Sequence, residues 1–80
     1  MKIRTYPENK MYAGTPEQVV QKMTNDAIFF NVKKSEDYMR KVAEHLPSIR
    51  LNGRTNEERC KSFLKNLLRI GVIEIIAGKI

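Results

Sequence analysis

Histidine and cysteine are nearly absent from the chain, which holds His45 and Cys60 as single examples. A lone cysteine excludes an internal disulfide framework, and this pair cannot supply the ligands of a structural zinc site within the chain. The sequence also contains no glycine-rich phosphate loop. We therefore expect no metal, no cofactor and no enzymatic activity, with His45 on the rim of a helix and Cys60 in the core.

Long hydrophobic runs are missing as well. No stretch approaches the roughly 20 apolar residues that a membrane-spanning helix requires. Residues 1–6 alternate between apolar and polar side chains, whereas a secretory signal contains a continuous apolar segment of about 7–15 residues. These absences predict a soluble, cytoplasmic protein without a membrane partner.

Acidic residues are scarce relative to basic ones. The chain has 15 lysines and arginines against 9 aspartates and glutamates, a formal net charge of +6. The excess is uneven, because residues 1–48 hold 8 basic and 6 acidic residues while residues 49–80 hold 7 and 3. Such a balance favours attraction to polyanions, with DNA or RNA as the first candidate partners.

The first part of the chain predicts a hairpin followed by a helix. Residues 1–14 are typical of a β-hairpin, since two alternating segments flank the turn formers Pro7 and Asn9. Thr15, Pro16 and Gln18 then match the start of a helix, in which Thr15 and Gln18 form a capping box. Apolar spacing extends this helix over about residues 16–29, with Asn31 ending it.

Two further helices and a strand complete the predicted fold. Ser35 is expected to cap a helix over about residues 36–46, and a short strand at 49–51 is left open. A third helix spans about residues 56–70, Gly71 closes it in a left-handed conformation, and a strand follows at 72–76. At 80 residues we expect a single domain. The order ββαααβ predicts an α+β fold, with a three-stranded antiparallel sheet packed against three helices.

The leading candidate site is the basic side of the third helix. Basic residues recur there every four positions, which places them on one stripe, and further basic residues precede the helix or lie in a loop. The predicted nucleic-acid-binding residues are Lys61, Lys65, Arg69, Arg54, Arg50, Lys33 and Lys34. The competing interpretation is an ordinary solvated face, because Glu57 precedes Lys61 by four residues and favours a local ion pair.

An alternative function uses aromatic side chains. Phe29, Tyr6 and Tyr12 are candidates for a partner-binding surface, together with an open edge of the short sheet. Under this hypothesis the chain is a protein-interaction or self-associating module. Tyrosine packing within the sheet is the simpler interpretation of the hairpin residues.

Two resemblances are visible in the sequence. The segment from Phe63 to Glu74 is similar to the passage from recognition helix to wing in winged-helix DNA-binding domains, although a wing requires a further strand and the predicted hairpin stands at the other terminus. Separately, residues 14–20 with Tyr38, Met39 and the leucine-rich third helix resemble a group of small uncharacterised prokaryotic proteins. The first resemblance implies a helix presented to DNA, and the second implies no activity and no site residues.

Overall fold

A computed structural model describes the backbone of residues 1–80 and every side chain except that of Phe29. Within these residues, the chain forms three α-helices, one 3-10 helix and three strands. In chain order they are β1 (Lys2–Thr5), β2 (Met11–Ala13), α1 (Pro16–Asp26), the 3-10 helix (Ile28–Phe30), α2 (Ser35–His45), α3 (Asn56–Arg69) and β3 (Ile73–Ala77). The predicted α+β fold and the order ββαααβ are confirmed.

The sheet is antiparallel and has the order β2-β1-β3. Ile3 in the central strand lies opposite Tyr12 on one side and Ile75 on the other. Because directly opposed residues share a face of the sheet, this row points toward the helices, and Ile3 is fully buried. The next row carries Arg4 and Glu74, whose side chains form an ion pair at 3.5 Å. The sheet therefore has one face on the core and one polar face.

The first helix begins as predicted and ends earlier. Thr15 Oγ1 accepts from the Gln18 backbone N–H at 3.2 Å, and Gln18 Oε1 accepts from the Thr15 N–H at 2.9 Å. The expected extension to about residue 29 is wrong, since α1 ends at Asp26. Asparagine and aspartate are weak helix formers in the last turn, and the Thr24 hydroxyl donates to the Val20 carbonyl at 2.8 Å. The chain continues into the 3-10 helix, which ends at Asn31 with φ of 51°.

The second helix is not capped by Ser35. Lys34 occupies the N-cap position without a side-chain hydrogen bond, and Ser35 is the first helical residue, with its side chain buried. The Lys34 carbonyl accepts from the N–H groups of Asp37 and Tyr38, both at 3.1 Å. The helix therefore starts one residue earlier than predicted, because burial draws Ser35 inward and away from the capping position.

The third helix has the predicted ends. Thr55 and Glu58 form a capping box at its start. Gly71 has φ of 83°, the Val72 N–H donates to the Leu67 carbonyl at 3.1 Å, and the Gly71 N–H donates to the Leu68 carbonyl at 3.1 Å. This pair of bonds is the Schellman arrangement, which favours glycine at the left-handed position. Helix and closing strand are thus joined by a sharp, hydrogen-bonded turn.

The core lies where α1, α2 and α3 meet the inner face of the sheet. Among the described residues, its fully buried side chains come from all three α-helices and from the central strand. They include Ile3, Val19, Val20, Met39, Cys60, Phe63 and Leu64. Within the described part of the chain, none of the helices has the length and apolar character needed to cross a bilayer.

Candidate functional site

The connector between α2 and α3, residues 46–55, contains no strand in the described structure, so the open question at 49–51 is answered. Side chains of α3 bind its backbone instead. The Arg50 carbonyl accepts from Ser62 Oγ at 2.8 Å and from Asn66 Nδ2 at 3.0 Å. Ser62 Oγ in turn accepts from the Asn52 N–H at 3.1 Å. Two polar residues one helical turn apart therefore fix the middle of the connector alongside the helix.

Two arginines extend the same attachment toward both ends of α3. Arg69 Nη2 donates to the Ser48 carbonyl at 2.9 Å and to Asn66 Oδ1 at 2.5 Å. Arg59 Nε donates to the Gly53 carbonyl at 3.3 Å. Arg69, predicted as a phosphate-binding residue, thus already contacts the connector backbone, although its guanidinium keeps its charge.

Gly53 lies against the first turn of α3. It has φ of 133°, and a Cβ placed there would lie 2.5 Å from Glu58 Cβ and 3.0 Å from the Arg59 nitrogen. Any larger residue would therefore push the connector away from the helix. This close approach is a second reason why the connector follows α3.

The attachment holds the backbone of a segment with predicted site residues alongside the helix that carries the others. We call the surface of this helix and connector the α3–connector face and define it by Arg50, Arg54, Lys61, Lys65 and Arg69. Arg50, Arg54, Lys65 and Arg69 are exposed, and the Lys61 side chain is 43% exposed. A shallow cleft of about 350 Å³ on this side of α3 is lined by Glu58, Lys61, Ser62, Lys65 and Asn66. Five of the seven predicted nucleic-acid-binding residues are thus on or beside one helix.

Two glutamates beside the face, Glu57 and Glu58, reduce its positive charge. Glu57 Oε1 lies 3.4 Å from Lys61 Nζ, the i,i+4 pair expected from the spacing. Glu58 Oε2 accepts from the Arg54 N–H at 2.7 Å and from the Thr55 N–H at 3.4 Å. These backbone hydrogen bonds, with a smaller contribution from the Lys61 charge, lower the pKa of the Glu58 carboxyl. Glu58 therefore stays ionised and is engaged in holding the helix start.

Lys33 and Lys34 belong to a different part of the surface. They lie in the loop before α2 and are exposed. Gln21 Nε2 of α1 donates to the Lys33 carbonyl at 3.1 Å, which anchors this loop on α1. We therefore treat the two lysines as separate from the α3–connector face.

The second candidate region is a groove of about 430 Å³ between the hairpin turn, the C-terminal half of α1 and α2. We call it the aromatic groove. Its lining includes Tyr6, Glu8, Lys10, Tyr12, Met23, Asp26, Ile28, Phe30, Tyr38, Val42, Leu46, Leu67 and Val72. The predicted partner-binding residues Tyr6 and Tyr12 both line it. The third, Phe29, has a side chain outside the described residues.

Aromatic packing forms the α2 side of the groove. The rings of Phe30 and Tyr38 lie 6.0 Å apart between centroids, and Tyr38 meets the buried ring of Phe63 edge-on at 5.8 Å. Phe30 also packs on the His45 ring at 5.7 Å. Such tilted and edge-on pairs are the favoured arrangements of aromatic rings. The wall of the groove is therefore continuous with the core.

Hydroxyls and carboxylates line the opposite side. The Tyr12 hydroxyl donates to Asp26 Oδ2 at 2.7 Å. Burial, followed by this hydrogen bond and the Asp26 charge, raises the pKa of the Tyr12 hydroxyl. Burial and the negative charge of Glu8 raise the pKa of Tyr38. Glu8 and Asp26 thus give the groove a negative side.

Sequence reasoning did not identify Glu8, Asp26 or Tyr38 as site residues. They come from the hairpin turn, the last turn of α1 and the first half of α2, and no shared spacing links them. The one signal in the sequence is that tyrosine and aspartate can form a hydrogen bond. This signal could not select Tyr12 and Asp26, because many such pairs exist in any sequence.

His45 and Cys60 lie in different environments. Cys60 is fully buried, and burial raises the pKa of its thiol to about 11, so the thiol is protonated at neutral pH. His45 Nδ1 lies 2.9 Å from the Lys41 carbonyl in the same helix. Among the described residues, no cluster of histidine, cysteine, aspartate or glutamate has the arrangement of a metal site. The absence of enzymatic activity stays a prediction.

Comparison of the chain with protein-family models, with curated proteins and with solved structures gives no match in any of the three. The two regions of the surface are therefore the basis for the function.

Proposed function

We propose that the chain binds nucleic acid through the α3–connector face. The observation that carries this proposal is the attachment of the connector to α3 through Ser62, Asn66 and Arg69. It holds the connector backbone alongside the helix, which supports a common basic surface formed by Arg50, Arg54 and the lysine stripe. Polyanions are attracted by such concentrated charge irrespective of sequence.

The acidic residues beside the face do not cancel it. The Lys61–Glu57 pair is half exposed and is worth only about 0.2–0.5 kcal/mol, so a phosphate can replace the carboxylate as the partner of Lys61. Glu58 is held by backbone N–H groups. Because Ser62 and Asn66 bind the connector, contacts to phosphates are the main contribution that we assign to this face, with little reading of base sequence.

Four side chains are assigned direct phosphate contacts: Arg50, Arg54, Lys61 and Lys65. Arg69 adds charge while bound to the connector. Neutralising four phosphates of duplex DNA predicts a slope of about −3.6 for the logarithm of affinity against the logarithm of salt concentration. Fluorescence anisotropy with labelled mixed-sequence duplex DNA and single-stranded RNA, measured at several salt concentrations, gives this slope.

The matched comparison uses two double variants with the same change of charge. Lys61→Glu with Lys65→Glu should abolish binding, whereas Arg40→Glu with Lys41→Glu on α2 should retain most of it. An equal loss of nucleic-acid affinity in both variants would show that binding depends on net charge alone. It would contradict an assignment to the α3–connector face.

A second candidate function is self-association or binding of a protein strand at the edge formed by β3. This strand is at one side of the sheet, and its Ile76 side chain is 39% exposed. Edge strands with exposed apolar residues favour addition of another strand. Analytical ultracentrifugation over a range of concentrations should then show a dimer that Ile76→Lys dissociates. A monomer at all concentrations, and no binding of extended peptides, would contradict this candidate.

A further inference from the structure

The aromatic groove is lined mostly by apolar and aromatic side chains and holds two carboxylates against one lysine, whereas the cleft beside α3 is lined by polar and charged side chains. Its volume of about 430 Å³ lies within the range of small-molecule sites. No residue lining it also lines the cleft beside α3. The groove is therefore a candidate site separate from the α3–connector face.

Exposed apolar side chains surround its mouth. Ile28 is 81% exposed, Tyr6 40% and Leu46 37%, and all three line the groove. Concentration of such residues around one concavity is typical of a binding surface. An apolar group entering the groove would cover these side chains and the rings behind them.

The charges in the groove select the polar part of the ligand. Glu8 and Asp26 are its carboxylates, and Lys10 is its cation. Among the described side chains, ion pairs within 4 Å are formed by Arg4 with Glu74, Arg40 with Asp37 and Lys61 with Glu57. Neither groove carboxylate is in such a pair, although the chain as a whole carries +6.

Aromatic faces add to the same preference. Tyr6, Tyr12, Phe30 and Tyr38 line the groove close to these carboxylates. The negative face of an aromatic ring attracts ammonium and guanidinium groups. Rings and carboxylates together therefore favour a cation over a neutral group of the same shape.

From this combination we propose that the aromatic groove binds a small organic ammonium ion with an apolar body. The apolar body lies against Phe30, Val42 and Leu46, and the ammonium group lies toward Asp26 and Glu8. Tyr12 holds Asp26 in place through its hydroxyl. This site is independent of the nucleic-acid proposal, because its residues and its charge are different.

Three probes of nearly the same shape test the proposal: phenylbutylamine, phenylbutanol and phenylbutyrate. Each is titrated into the isotope-labelled full chain at neutral pH and followed by two-dimensional amide NMR. The amine should bind about five- to tenfold more tightly than the alcohol, and the acid should bind most weakly. The shifted amides should lie in the hairpin turn, the last turn of α1 and α2.

Isosteric variants identify the carboxylates. Asp26→Asn keeps an acceptor for the Tyr12 hydroxyl, and Glu8→Gln lies in an exposed turn, so both should fold. Each should reduce the preference for the amine over the alcohol by at least about twofold. The control Glu36→Gln, an exposed carboxylate outside the groove, should leave that preference unchanged. If Asp26→Asn does not fold, the preference for the amine over the alcohol is tested with Glu8→Gln alone.

Equal binding of amine and alcohol would overturn the proposal and leave an unselective apolar groove. Tighter binding of the acid, shifts confined to the α3–connector face, or no binding of the amine up to its solubility would overturn it as well.

Discussion

The α3–connector face and the aromatic groove differ in what holds them together. In the face, side chains of α3 donate hydrogen bonds to the connector backbone, for instance from Asn66 and Arg69. In the groove, rings pack on one another and on the core, as Tyr38 does on Phe63. The face therefore depends on a few polar contacts, whereas the groove depends on tertiary packing.

The two regions also differ in charge, within a chain of 80 residues. Lysines and arginines dominate the face, while Glu8 and Asp26 outnumber Lys10 in the groove. A small domain can thus present surfaces of different charge, because each is formed by residues from different segments. Net charge alone describes only the first of them.

The largest expected effect comes from Phe63, which supports the groove from the core. Phe63→Ala should reduce the free energy of unfolding by about 3–5 kcal/mol, since it leaves a cavity behind Tyr38. Urea denaturation measures this loss, with Phe63→Leu as the conservative control. Amine binding in the groove should fall more than nucleic-acid binding at the face. A larger loss at the face would contradict the dependence of the groove, and not of the face, on packing against Phe63.

The next effect concerns Gly53 and tests the face. Gly53→Ala should reduce the free energy of unfolding by about 1–3 kcal/mol, because both the positive φ and the contact with Glu58 oppose a Cβ. Gly71→Ala is the matched control, since it shares a positive φ but has no neighbour within 4 Å of the added Cβ. Equal destabilisation by both variants would show that close approach of the connector is unimportant.

Gly71 and Gly53 differ in how much of their structure could be predicted from the sequence. The left-handed end at Gly71 and the capping box at Thr15 were predicted, because both arise from residues that are close together in the sequence. The contact of Gly53 with Glu58 was not predicted. Local patterns specify the ends of elements, while the position of one element on another depends on distant partners.

The errors have the same origin. Serine is a favoured residue type at the N-cap position, yet Ser35 is buried and is the first residue of α2. The basic stripe of α3 could be read from its spacing, but the use of Ser62 and Asn66 to hold the connector could not. The groove was beyond sequence reasoning because its walls come from four separate segments.

A double variant without a change of charge tests whether nucleic-acid binding depends on the position of the connector as well as on the charge of the face. Ser62→Ala with Asn66→Ala should cost about 1–3 kcal/mol of stability, through lost hydrogen bonds to the Arg50 carbonyl. It should also weaken nucleic-acid binding without any change in charge, and hydrogen exchange should accelerate in residues 48–53. Unchanged affinity with a released connector would mean that the lysines of α3 act alone.

The two regions should lose stability at opposite ends of the pH scale. The pKa of Glu58 is lowered by backbone hydrogen bonds, so its contribution is present above its unfolded pKa and is lost as pH falls through the folded value. The pKa of Tyr38 is raised, so its contribution is present below its unfolded pKa and is lost as pH rises. Acid should loosen the connector first, and alkali the groove.

Amide exchange and urea denaturation across the pH range measure this difference. Glu58→Gln should flatten the acid side of the profile, and Tyr38→Phe the alkaline side. Cys60 adds to the alkaline loss, since the pKa of its thiol is raised to about 11 by burial. A profile in which both regions loosen together at each extreme would contradict separate control.

The smallest effect concerns Glu57. Glu57→Gln removes the ion pair with Lys61 and should reduce stability by only about 0.2–0.5 kcal/mol. Nucleic-acid affinity should rise modestly, because a negative charge leaves the face. Glu36→Gln changes the net charge equally on α2 and should raise affinity less. A reduced affinity in Glu57→Gln would argue against phosphate contact by Lys61.

The most direct test of the account is to map where nucleic acid contacts the labelled chain. A short DNA duplex titrated at low salt and followed by two-dimensional amide NMR should shift the resonances of Arg50, Arg54, Lys61 and Lys65, and leave those of Glu8, Asp26 and Tyr38 in place. Shifts in the groove, or no shift anywhere at low salt, would contradict the assignment of nucleic-acid binding to the α3–connector face.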